Sequence, residues 1–161
     1  IEERNLGYAD LLDVRARTRT LETVGGMYGQ TFNIAGEHET ERVDGEAVTH
    51  EVLPMLGVRP MLGRLFSAED DRPGAPPTVI LSHGLWQRRF DGRPGVVGER
   101  VLLNGRPYTV VGVMPAGFRF PFTQDVWVPV AGDPNESRAD RYVWTVGRLR
   151  AGATHEQAHA D

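Results

Sequence analysis

The run Val101-Leu102-Leu103-Asn104-Gly105-Arg106-Pro107-Tyr108-Thr109-Val110-Val111 constrains the fold of this chain more than any other stretch. Asn-Gly tolerates the positive φ angles of a two-residue hairpin turn, and apolar or β-branched residues flank it on both sides. With a two-residue loop, Leu103 faces Arg106 as the hydrogen-bonded pair beside the turn. Leu102 then faces Pro107 at a non-hydrogen-bonded site, and Val101 faces Tyr108. Pro107 gives up no bond inside such a hairpin, but its outer side has to lie at an edge or a bulge. The 19 Gly and 11 Pro among 161 residues point the same way, towards a turn-rich, sheet-dominated fold instead of a helix bundle.

The length suits one ordinary domain, or two small lobes packed closely together, with a core that needs no metal or disulfide staples. Tyr8, Leu11, Leu12 and Arg15 recur at helical spacing, with acids early and arginines late, which predicts a helix over about Tyr8 to Arg17. Leu21 to Ala35 and Arg42 to Val48 read as two antiparallel strands, broken by Gly36 through Thr40. Thr49 is expected to cap a short helix holding Val52, Leu53 and Leu56, with Pro54 in its first turn and Gly57 as its stop. Gly63 to Pro77 is a surface loop, Thr78 to Leu81 a strand, and Ser82 the cap of a helix through Leu85, Trp86 and Phe90. Asp125 to Val130 and Tyr142 to Leu149 are further strands around a polar loop at Gly132 to Asp140. Thr154 and Gln157 form a capping-box pattern at the start of a final helix.

Several function classes are disfavoured by what the chain lacks. Its net charge is −4 and its 18 basic residues are all Arg, scattered with no block beside aromatics, so no nucleic-acid partner is expected. The chain has no Cys, which removes disulfide frameworks, zinc ribbons and thiol catalysis. No apolar run approaches the roughly 18 to 20 residues of a membrane-spanning helix, and the beginning IEERNLGYAD carries no signal pattern. The first residue is Ile, and recognisable elements begin almost at once, so the chain reads as an excised part of a longer protein.

The strongest enzymatic signal is His155-Glu156-Gln157-Ala158-His159, an H-E-x-x-H motif that sets two imidazoles one helical turn apart, as in a zinc hydrolase. It starts in the first turn of its helix, and only Ala160 and Asp161 follow to supply a third ligand. His38, His50 and His83 are isolated and read as solvated or capping residues. Glu69, Asp70 and Asp71 before Arg72 lack the spacing and central Gly of a calcium loop and read as a solvated turn. Ser82 lacks a nucleophile elbow, and no glycine segment has the form of a phosphate-binding loop. Trp86, Trp127 and Trp144 are accounted for by core packing, or by an interface if one of them stays exposed. These residues therefore predict no catalytic residue, no metal site and no cofactor.

Four segments taken together resemble the MacB-like periplasmic core domain of ABC-transporter permeases, in the wider MacB/FtsX-like permease group. The first two are Leu56-Gly57-Val58-Arg59-Pro60 and Gly63-Arg64-Leu65-Phe66, the third is Val79 to Trp86, and the fourth, after the short link Val96-Val97-Gly98, is Leu103 to Pro115. Asp125 to Pro129 and Val146 to Thr154, with Glu156-Gln157-Ala158, are similar to later segments of that family. The resemblance implies an α+β fold in which a mixed α/β porter-like lobe, residues 1–49 and 139–161, carries an inserted mostly-β lobe, residues 50–138. It also implies an extracytoplasmic, periplasmic location and a non-enzymatic role coupling ATP-driven membrane-helix motion to substrate export or release. Its implied partners are the parent permease's membrane helices, a cytoplasmic ATPase acting through the membrane, and a second permease copy. A zinc hydrolase using His155, Glu156 and His159, and a free-standing β-rich module for peptide or glycan, are the alternative readings.

Overall fold

The computed structural model describes residues 5–36, 39–132 and 143–161. A two-residue strand β1 (Asn5–Leu6) precedes helix α1 (Tyr8–Arg17), and the chain then runs through strands β2 (Leu21–Ala35) and β3 (Thr40–Val48). Helix α2 (Val52–Met55), strand β4 (Leu62–Gly63), strand β5 (Thr78–Leu81) and helix α3 (His83–Phe90) follow. The hairpin β6 (Arg100–Leu103) and β7 (Arg106–Val113) leads to β8 (Val126–Pro129), β9 (Val143–Leu149) and helix α4 (His155–Ala160). The fold is α+β, a mixed sheet with a few short helices. None of the helices among the described residues is long and apolar enough to cross a membrane.

The hairpin forms in the expected register, with Leu103 opposite Arg106, Leu102 opposite Pro107 and Val101 opposite Tyr108. Asn104 and Gly105 both take positive φ, 52° and 74°, the pair of angles that lets a two-residue turn follow the right-handed twist of its strands. Pro107 lies beyond the end of β5, whose pairing with β7 begins only at Thr78 and Thr109, so its missing N–H costs no ladder bond. Ser82 caps α3 by accepting from the Leu85 N–H at 3.1 Å. Thr154 and Gln157 form a complete capping box on α4.

One local expectation fails. Thr49 does not cap α2: Glu51 occupies that position, without a side-chain cap bond. The Thr49 hydroxyl instead accepts from the Gly26 N–H at 3.0 Å in the buried interior, where the Thr49 N–H also donates to the Gly26 carbonyl. A tertiary bond between β2 and the end of β3 has displaced the local one. His38 and Tyr142 lie outside the described residues, as does most of the polar loop expected at Gly132 to Asp140.

The nine strands among the described residues belong to one sheet, ordered β1-β9-β2-β3-β8-β5-β7-β4, with β6 bridging β7 and β2. That bridge closes a ring. β2 pairs with β3, β3 with β8 in parallel, β8 with β5, β5 with β7 in parallel, β7 with β6, and β6 returns to β2 at Ile34 and Leu103. The closure is reinforced where Asn104 meets Asn33: the Asn104 N–H donates to the Asn33 carbonyl at 2.9 Å, and the Asn104 side chain accepts from the Asn33 N–H at 2.8 Å.

Side-chain alternation along each ring strand supplies a common core. Phe32, Ile34, Val43, Ala47, Val79, Leu81, Val101, Leu103, Val110, Val113, Val126 and Val128 pack together with Leu85 and Trp86 of α3. The intervening Val48, Ile80, Val111 and Trp127 turn to a second core with Val52, Leu53 and Phe66. A register shift between Val79 and Ile80 lets Val110 and Val113 share one side despite their odd spacing. A third cluster, Tyr8, Leu11, Val24 and Val143, seats α1 against β2 and β9.

Candidate functional site

The described residues assemble one group of three potential metal-ligating side chains, His50, Glu51 and Asp71, with ligand atoms within 4.8 Å of one another. Local sequence does not bring them together. His50 and Glu51 end the turn after β3, Asp71 arrives from the acidic loop before β5, and α1 contributes Arg15 from the opposite direction.

Burial of Tyr8 and Leu11 fixes the face of α1, and this points Arg15 along β2. Its Nε donates to the Val24 carbonyl at 3.0 Å and a terminal nitrogen donates to Glu51 at 2.7 Å. The other carboxylate oxygen of Glu51 lies 3.4 Å from His50 Nε2. His50 Nδ1 lies 3.1 Å from Asp71 Oδ2, which also accepts from the His50 backbone N–H at 3.0 Å. Asp71 Oδ1 accepts from the Ala131 N–H at 2.8 Å. Each ring nitrogen of His50 thus faces a carboxylate oxygen, so a neutral ring can donate to one acid and a protonated ring to both. Tyr8 borders the cluster, and its phenol is pushed above the usual value by burial first and then by the negative charge of Asp71.

These contacts define what the group can do. Asp71, only 6% exposed, has both oxygens taken up by backbone donors. Glu51 is neutralised by a guanidinium, which a cation would have to displace. The arrangement is a polar clasp that ties α1 and β2 to the 71 loop and to the chain after β8. A buried carboxylate with several donors holds such a junction because removing any one partner strands a desolvated group.

Two readings of single residues change here. His50 is not isolated, and Asp71 is not part of a solvated turn. Of its neighbours only Glu69 behaves that way, pairing with Arg72 at the surface; Asp70, its side chain largely buried, pairs with Arg64 while accepting from Ser67. Arg15, Glu51 and Tyr8 were not singled out by the sequence, which carries no local signal for a cluster whose members lie 36 and 21 residues apart.

His155, Glu156 and His159 fall on α4, where no side chain is buried. Among the described residues, no group of three potential ligands includes them. His83 packs edge-on against Trp86. Trp127 is fully buried, Trp86 nearly so, and Trp144 is 41% exposed, so Trp144 is the tryptophan left available for contact.

Among the described residues, a mixed sheet closed into a ring carries an α-helical flank and a polar clasp. The sequence matches the MacB-like periplasmic core domain over residues 2–161, and the chain belongs to that family. Its place is the periplasmic or extracellular region of a MacB-like ABC-transporter permease.

Solved structures share the fold. The periplasmic region of MacB from Actinobacillus actinomycetemcomitans is 15% identical with a TM-score of 0.75, over 98% of this chain and 71% of that one. The extracellular domain of the noncanonic ABC-type transporter YknZ from Gram-positive bacteria is 14% identical with a TM-score of 0.70, over 97% and 78%. A domain of a putative permease protein from Porphyromonas gingivalis is 19% identical with a TM-score of 0.64, over 97% and 67%. No curated protein sequence matches the chain.

Proposed function

We propose that this domain couples ATP-driven motion of its parent permease's membrane helices to export or release of a substrate, by changing conformation and without covalent chemistry. The partners in this reading are those membrane helices, a cytoplasmic ATPase acting through the membrane, and a second permease copy. The observation that carries it is the family match across essentially the whole chain.

The division into two lobes, residues 1–49 with 139–161 and residues 50–138, belongs to the same proposal. Strand order supports it: β1, β9, β2 and β3 lie consecutively on one side, and β8, β5, β7 and β4 on the other. The halves meet at the parallel β3–β8 pairing and at Ile34 with Leu103. The clasp spans the same seam, since Arg15 belongs to the first half and Asp71 to the second.

The test uses the full-length permease with its ATPase in lipid nanodiscs, spin-labelled at Leu102, an exposed ring position. The label-to-label distance between two copies is expected to shift by several ångströms between the nucleotide-free and ATP-bound states. An unchanged distance distribution would sink the coupling role.

A further inference from the structure

We draw no further inference here: the strongest candidate, the exposed apolar surface of the loop between β7 and β8, where Phe122 stands 70% exposed after Phe118 and Phe120, which pack on the second core, carries nothing because nothing in the structure shows what covers it.

Discussion

Glu46 shows what a single position in the sheet can cost. It sits on β3 opposite Gly29 and beside Trp127, is 5% exposed, and accepts from the Gln124 amide at 2.8 Å. Burial pushes its carboxyl above the usual value and the Gln124 bond only partly offsets this. A carboxyl whose folded value is raised favours the fold while protonated. Its contribution is fully present below about pH 4.5, the ordinary value, and is lost as pH rises through the folded value. Glu46→Gln, a neutral mimic, should therefore be more stable than the parent to urea at pH 7 and equally stable at pH 3. A variant less stable at pH 7 would show that the charge is held by something other than Gln124. Nothing in the local sequence marks Glu46 as buried. Asp71 was equally illegible, because a run of acids next to Pro and Gly looks the same whether or not one of them turns inward.

Elements were more legible than residues, because their signals are local. The Asn104-Gly105 turn, the Ser82 cap and the Thr154–Gln157 capping box each depend on residues within four positions of one another, and all three form. Thr49 carries a similar local signal and fails because a long-range partner, Gly26, competes for its hydroxyl. Ser82 is bound on both sides, its N–H donating to the Asp125 carbonyl at 2.8 Å while its hydroxyl caps α3. Ser82→Ala removes only the cap, which should lower stability by about 1 kcal/mol and Tm by about 2–4 °C. Differential scanning calorimetry reads this directly, and an unchanged Tm would mean that the helix is held by Leu85 and Trp86 packing alone.

At the scale of the molecule, the two proposed lobes are joined through their interiors as well as at their surfaces. Phe32, Ile34, Val43 and Ala47 from the first half share one core with Val79, Leu81, Val110 and Val126 from the second. Two lobes that share a core cannot melt separately without exposing it, so thermal unfolding should be a single transition with calorimetric and van't Hoff enthalpies in agreement. Two resolved transitions would show that the seam is weaker than this shared packing implies. No sequence pattern announces the joint, since alternation along a strand tells which side is apolar but not which other strand supplies the opposite wall.

Ring closure at Ile34 and Leu103 has a mechanical consequence. In an open sheet, neighbouring strands can slide or splay and leave distant pairs undisturbed. In a closed circuit any shear between two strands has to be taken up by all six, so the circuit is stiff in torsion. β2 belongs both to that circuit and to the β9 side of the sheet. A displacement arriving through β9 would thus turn the circuit as one body, passing on angle with little loss to internal strain.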